Sequence, residues 1–347
     1  MASEFAPPWW LRNPHLQTIW GRLTRKRRLV TFRREALTTP DGDELLVDHL
    51  DRPGCLPGLD AEGHPSNHFV LLHGLEGSSY SVYMQGILSI IAKHGYSATA
   101  INFRSCALEP ESLLRAVPNR RPRFYHSGET TDFDFVLHTL ASQMPGTTLL
   151  AFGASLGGNV LLKWLGEHPG QTLISAAATI SVPYDLGAGA KFLESFAGRI
   201  YVGSFLRSLK KKIAGLVERF PETRRIIDLE GALAASTFRE FDEAATGPLH
   251  GFTGADDYYA RASSINLLGR ITTPTLCLSA EDDPFLPLEA LRRARAAASP
   301  FVEFRTTPSG GHVGFVAGTT PWACTYWAEE YIVEWLLEHA GRGASAA

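Results

Sequence analysis

Ser155 sits in Gly153-Ala154-Ser155-Leu156-Gly157, a G-x-S-x-G pattern. Small residues on both sides let the chain turn sharply from a strand into a helix and lift the hydroxyl clear of the backbone. A serine hydroxyl is a weak nucleophile unless a base takes its proton, so a histidine and an orienting carboxylate must accompany it. Pro308-Ser309-Gly310-Gly311-His312-Val313-Gly314 surrounds one of the 12 histidines with glycines that allow its loop to carry the ring toward a neighbour. His312 is the candidate base. Glu281-Asp282-Asp283-Pro284 places carboxylates on a turn just past an apolar run. Asp283 is the candidate acid, with Asp282 beside it as the alternative. The chemistry is acyl transfer through a serine, whose tetrahedral intermediate needs N–H donors for its oxyanion. The Leu156 N–H, at the start of the helix after Ser155, is one candidate. The Leu75 N–H, in the glycine-rich His73-Gly74-Leu75-Glu76-Gly77-Ser78-Ser79, is the other. His73 itself reads as a structural histidine bonded to that turn.

These groups need rigid strand ends to carry them. From about residue 68, short apolar or β-branched runs alternate with longer helical patterns. The runs at 69–72, 98–101, 148–152, 179–182, 275–278 and 302–304 suit strands buried on both faces of a mainly parallel sheet. Helical patterns at 82–94, 130–142, 156–168, 288–298 and 322–339 separate them, which predicts βαβ units and an α/β fold. Residues 29–32 and 44–50 read as an antiparallel hairpin at one edge. Ser155 then follows a strand and opens a helix, and nucleophile, acid and histidine occur in the order that a nucleophile elbow requires. Arg104 and Cys106, after the run at 98–101, either line the pocket or merely form a turn. From residue 186 to about 270 the pattern is helical and irregular, with a basic Lys210-Lys211-Lys212. It reads as a helical cap over the strand ends, where ligands bind in open α/β sheets.

Composition bounds the rest. The 347 residues are 44% hydrophobic and 20% charged, with 32 Gly and 21 Pro. That excludes a disordered or collagen-like chain, and no apolar run approaches the ~20 residues of a membrane span. A net charge of -3 offers no general attraction to nucleic acid. The charge is uneven, with 8 Arg/Lys and no Asp/Glu between positions 5 and 34, which leaves -11 for the remainder. In that segment Trp9, Trp10 and Trp20 accompany Arg25-Lys26-Arg27-Arg28. Either the arm makes a peripheral contact with a lipid surface, or the tryptophans pack on the body while the arginines are solvated. The 4 cysteines are widely spaced and no secretory signal is visible, so reduced thiols and a cytoplasmic location are expected. No metal-ligand motif is present, and no cofactor is expected.

Several segments are longer than the motifs above. They include 7–18, ending Asn13-Pro14-His15-Leu16-Gln17-Thr18, then 73–79, and Tyr125-His126-Ser127-Gly128-Glu129-Thr130. Asn102-Phe103-Arg104, Ser155-Leu156-Gly157-Gly158-Asn159, Phe241-Asp242 with Gly251-Phe252 and Tyr258-Tyr259, Asp282-Asp283-Pro284-Phe285 and Gly310-Gly311-His312-Val313-Gly314-Phe315 complete the set. In these the chain resembles the YheT-like branch of the α/β-hydrolase superfamily, related to ABHD-type esterases and lipases and to yeast medium-chain ester synthases. The resemblance implies a mostly parallel eight-stranded sheet flanked by helices, with the cap at about 186–270 inside a hydrolase domain of 29–347, after an N-terminal arm of 1–28. It implies a cofactor-free serine carboxylesterase acting on short- or medium-chain acyl esters or acylglycerols, with the triad on Ser155, Asp283 and His312. Ser105-Cys106 replaces the family's Gly-Cys, and 107–123 is individual, which bears on substrate range. Acyl transfer to an alcohol with the same triad, and a non-catalytic binding protein on this fold, are the competing readings.

Overall fold

The chain opens with helix α1 (Pro14–Thr24), followed by strands β1 (Arg33–Thr38), β2 (Glu44–Leu50) and β3 (Asn67–Leu72). Next come α2 (Val82–Lys93), β4 (Ser97–Ile101), α3 (Thr131–Gln143), β5 (Thr148–Ala154), α4 (Leu156–Glu167) and β6 (Ile174–Ile180). A helical segment then holds α5 (Leu186–Phe192), α6 (Phe196–Arg219), α7 (Leu229–Ala234), α8 (Phe238–Phe241), α9 (Gly247–Leu249) and α10 (Ala255–Ala262). It leads to β7 (Thr275–Ala280), α11 (Leu288–Ala297), β8 (Val302–Thr307), the small hairpin β9 (Val316–Gly318) and β10 (Cys324–Tyr326), and α12 (Trp327–His339). This is a computed structural model that describes residues 4–55 and 57–341. Positions 1–3 and 342–347, the outer ends of the expected arm and domain, lie outside the described residues.

Strands β1 to β8 form one sheet in the order β1-β2-β4-β3-β5-β6-β7-β8. The β1–β2 and β2–β4 pairs are antiparallel and the others parallel. The expected mostly parallel, eight-stranded α/β sheet is therefore present, and β3 to β8 end along one common edge. Alternation along each strand feeds two cores. Val70, Leu72 and Ala151 face a core with Val136 and Leu140 of α3, Val160 and Leu161 of α4, and Leu291 of α11. Phe69, Leu71 and Phe152 face the other, with Ile87 and Ile91 of α2 and Ile332 and Leu336 of α12. Both strand faces are buried, which is why the runs are continuously apolar.

The edge hairpin is displaced from its expected position. Residues 29–32 make no strand: the Leu29 and Val30 N–H groups donate to Gln85 Oε1 of α2, at 2.8 and 3.3 Å. Pairing begins at Arg33, opposite His49. There Arg33 reaches Asp51 at 2.8 Å and Arg34 reaches Asp48 at 2.7 Å across the hairpin, and opposite charges hold what an apolar run was expected to hold. Of the run at 179–182 only Thr179 and Ile180 belong to β6, as its end, and the earlier part of the strand is hidden in Ser175-Ala176-Ala177-Ala178. The last helix starts at Trp327, not 322; Trp322 is 92% exposed, and β9 and β10 precede the helix.

Between β6 and β7, α6 to α8 pack around an apolar cluster including Val202, Leu206, Ile213, Leu216 and Phe241, and α5 and α10 meet in a second one at Leu186, Tyr258 and Tyr259. Among the described residues no helix is long and apolar enough to cross a membrane.

Candidate active site

β5 ends at Ala154 and α4 begins at Leu156, so Ser155 alone makes the turn. Its φ of 51° and ψ of -118° lie where a residue with a Cβ is disfavoured. The turn is possible because its neighbours are glycines. A Cβ on Gly157 would stand 2.5 Å from His73 O and 2.6 Å from Leu72 O, and one on Gly153 would stand 2.6 Å from Gly157 O. Asn159 anchors the same helix from inside: its Nδ2 donates to Ser127 O at 2.7 Å and Ala262 O at 2.8 Å, while its Oδ1 accepts the Ser264 N–H.

β7 carries Asp283 past its end, and the loop after β8 carries His312. Both are buried, at 5% and 9% exposure. Asp283 Oδ2 lies 2.9 Å and Oδ1 3.2 Å from His312 Nδ1. A carboxylate only accepts, so the imidazole proton belongs on Nδ1, and Nε2 is free to accept from the Ser155 hydroxyl, 3.0 Å away. The Phe285 N–H donates to Asp283 Oδ1 at 2.8 Å, and its ring stacks on the imidazole with centroids 4.3 Å apart. Asp282, the alternative acid, turns elsewhere: its Oδ1 accepts the Gly311 N–H at 3.0 Å and so supports the histidine loop.

Leu75 and Leu156 border the same cavity as Ser155 and His312. Among the described residues neither N–H has a hydrogen-bond acceptor, whereas Gly74 N–H donates to the Tyr83 hydroxyl and Glu76 N–H to that of Tyr125. Close approach brings the two turns together, since a Cβ on Gly74 would lie 3.2 Å from Ser155 Cβ. His73 is structural, as expected. It is fully buried, its Nδ1 donates to Gly74 O at 2.7 Å, and its Nε2 accepts the Phe103 N–H at 3.1 Å. Burial lowers its pKa to about 4, so the ring is neutral in neutral solution.

The cavity measures about 540 Å³ and opens between the strand ends and α6, with Tyr201, Phe205 and Leu209 on the helix side. Lys212 of the basic tripeptide turns inward rather than to solvent. Its ammonium lies 2.7 Å from Glu76 Oε1 and 3.3 Å from Cys106 Sγ. Glu76 also accepts from the Tyr125 and Ser208 hydroxyls. Burial pushes the Cys106 thiol up to about 11. Arg104 does not line the cavity. It is 2% exposed and bound to Asp41, Asp43 and Asp132, where it joins the β1–β2 turn to α3. On the cavity's far side Asp242 accepts from the Tyr259 hydroxyl at 2.8 Å, and burial raises its carboxyl to about 6.

Sequence reasoning missed what holds the histidine loop. The N-terminal segment is not a free arm over α1: the Thr18 hydroxyl accepts the His312 N–H at 2.9 Å, and Gln17 brackets Val316. The signal lies in the run 13–18, an asparagine cap followed by proline at the start of a helix. Trp10 and Trp20 pack on each other at 5.0 Å, Trp9 is 75% exposed, and Arg25 is buried against Glu329 and over the Tyr326 ring. The arginines of this run are thus only partly solvated.

One group of possible metal ligands occurs among the described residues, His126, Glu129 and His250, with ligand atoms within 4.8 Å of one another. Two of the three are already engaged, while the buried His250 Nε2 has no hydrogen-bond partner. Arg123 and Thr131 hold the Glu129 carboxylate, and His126 Nδ1 accepts the Gly128 N–H, whereas a ligating histidine normally donates from its second nitrogen.

A parallel sheet with a serine elbow after β5, an acid after β7 and a histidine after β8 defines an α/β hydrolase. The family pattern described as the alpha/beta hydrolase fold matches residues 67–319, and the chain belongs to that family, in its YheT- and ABHD-like branch. It is 34% identical to YheT of Escherichia coli (strain K12) over 97% of this chain and 94% of that protein. It is 32% identical to phospholipase ABHD3 of Mus musculus over 98% of this chain and 80% of that one. Among solved structures, the Pyrococcus furiosus esterase Pf2001 gives a TM-score of 0.54 at 14% identity, covering 99% of this chain and 95% of its own, a likeness of fold alone.

Proposed function

We propose that this chain, a carboxylic ester hydrolase of the α/β hydrolase family, cleaves short- or medium-chain acyl esters or acylglycerols through Ser155, His312 and Asp283. The observation that carries the reading is the continuous hydrogen-bonded line from Ser155 Oγ through the imidazole to Asp283, on the wall of a cavity with room for an acyl chain. Ser155 gives its proton to His312 Nε2 and attacks the ester carbonyl. Asp283 keeps the other ring proton on Nδ1 and stabilises the imidazolium. The Leu75 and Leu156 N–H groups receive the oxyanion, each a contribution of roughly 3 kcal/mol. The imidazolium then protonates the leaving alcohol, and water, activated by the same ring, releases the acid from the acyl-enzyme.

Phe205, Leu209 and Phe285 along the cavity support an apolar acyl group, and the phospholipase name of the mouse relative supports a lipid ester. The reading divides the chain into an arm (1–28) and a hydrolase domain (29–347) capped by 186–270. Exposed Trp9, Arg12, Arg22 and Lys26 on the arm support contact with a lipid surface, which flotation with anionic against neutral vesicles tests. Four free cysteines support a reducing, cytoplasmic setting. Ser155→Ala is expected to abolish p-nitrophenyl butyrate turnover and fluorophosphonate labelling while thermal unfolding stays in place; undiminished turnover overturns the reading. Product analysis with ethanol and an acyl donor separates hydrolysis from acyl transfer.

A further inference from the structure

The loop that carries His312 has a strained backbone, closed by one internal bond from the Phe315 N–H to Gly310 O at 2.9 Å. Gly311, Val313 and Phe315 have φ of 62°, 58° and 43°, and two of the three carry side chains that disfavour this region. Groups outside the loop help to hold it: Asp282 and Ser181 take the Gly311 and Val313 N–H groups, and α1, which precedes the stretch matching the family pattern, takes those of His312 and Val316.

The helix starts at a defined point. Asn13 Oδ1 accepts the His15 and Leu16 N–H groups at 2.9 and 3.2 Å, and Pro14 occupies the first turn, where its missing N–H costs nothing. From there two consecutive residues meet the loop. Gln17 is fully buried; its Nε2 donates to Val316 O at 3.0 Å and to Leu11 O at 2.9 Å, and its Oε1 accepts the Val316 N–H at 2.7 Å. Thr18 donates its hydroxyl proton to Pro14 O at 2.8 Å and accepts the His312 N–H at 2.9 Å. The contact also accounts for two glycines of the loop. A Cβ on Gly311 would stand 2.5 Å from Pro14 O, and one on Gly314 would stand 2.4 Å from Gln17 O. They are small because the backbone of α1 lies against them. The same helix reaches the other side of the imidazole: His15 Nδ1 lies 3.0 Å from the Tyr201 hydroxyl, Tyr201 packs on Phe285 at 4.6 Å, and Phe285 stacks on His312.

We propose that Thr18 is a positioning residue for the hydrolytic site: by holding the His312 main-chain N–H it sets the reach of the imidazole to Ser155. The inference rests on the reading of His312 as the base. Thr18 also borders the cavity, so a substrate contact would show in KM instead.

The test uses the full chain with p-nitrophenyl butyrate, rates being expressed per folded molecule from the amplitude of the thermal transition. Thr18→Val and Thr18→Ala, which remove the acceptor with and without a methyl in its place, are expected to lower kcat about 10- to 100-fold with KM within about twofold. The rate of Ser155 labelling by a fluorophosphonate should fall in parallel. Thr18→Ser, which keeps the hydroxyl, should recover most of the rate. Wild-type kcat in both T18V and T18A, a rise in KM alone, or a T18S variant as slow as T18V overturns the proposal. Ser155→Ala runs alongside. If it stays active the hydrolase reading itself fails; if it is dead while T18V and T18A are fully active, only the role of Thr18 is lost.

Discussion

His312 Nε2 and Ser155 Oγ stand 3.0 Å apart although 157 residues of chain separate them. β5 and β8 are three positions apart in the sheet, roughly 14 Å at ~4.8 Å per strand, so the histidine loop must reach back across β6 and β7. It rests on the way: the Val313 N–H donates to the Ser181 hydroxyl at the end of β6, at 3.0 Å, and the Gly311 N–H to Asp282 after β7. The site is a bridge laid over strand ends, and its parts can be tested one by one.

Adjacent carboxylates with different partners should separate cleanly. Asp283 bonds the imidazole and Asp282 bonds only the loop backbone, so Asp283→Asn is expected to lower kcat on the order of 10⁴-fold. Asp282→Asn should cost less than about tenfold, because the amide oxygen can still accept the Gly311 N–H. Steady-state hydrolysis of p-nitrophenyl butyrate reads both, and equal losses would remove the distinction.

At the elbow, Gly157→Ala forces a Cβ to 2.5 Å from a backbone carbonyl that cannot move independently. The expected loss is about 3 kcal/mol of stability by urea unfolding. Gly203 in α6 has no atom within 4 Å of its added Cβ, and Gly203→Ala should gain up to about 1 kcal/mol through helix propensity.

Lys212 and Glu76 are both largely buried, and Glu76 directly follows Leu75. Lys212→Met leaves a buried carboxylate without its cation and should cost about 3 kcal/mol, with kcat lowered as the Leu75 turn loosens. The double variant Lys212→Met/Glu76→Gln should be more stable than the single one. Unfolding midpoints of these two variants and of Glu76→Gln alone measure the coupling, and strictly additive losses would deny it.

Asp242 sets a pH dependence. In the folded protein burial raises its carboxyl from 3.8 to about 6, against the Thr246 and Tyr259 hydroxyl bonds that favour the anion. Between these values the folded state holds a proton that the unfolded state releases, so stability falls as pH rises through this window. Asp242→Asn removes the titration. Its stability relative to the parent should therefore increase between pH 4 and pH 6 by ~3 kcal/mol and level off above, as read by urea unfolding at several pH values.

Much of this architecture was written locally. The G-x-S-x-G elbow, the strand before it and the helix after it depend on residues within a few positions of one another, and the order of serine, acid and histidine follows from where successive strands end. Each of these was legible in the linear chain. Short runs misled where tertiary packing chose differently. Residues 29–32 are apolar enough for a strand, yet their N–H groups go to Gln85, and the charged 33–38 segment pairs instead because its arginines meet carboxylates on β2. Alanines hid the first half of β6.

The sequence alone determined the chemistry on offer: a serine at an elbow, candidate acids, a histidine among glycines, and an α/β frame to carry them. Only the tertiary structure decided which aspartate faces the imidazole, that Lys212 points inward, and that α1 supports the histidine loop. The physical reason is separation along the chain. A hydrogen bond between Thr18 and His312, 294 residues apart, leaves no periodicity or spacing in either segment. It exists only once sheet, loop and N-terminal helix are packed together.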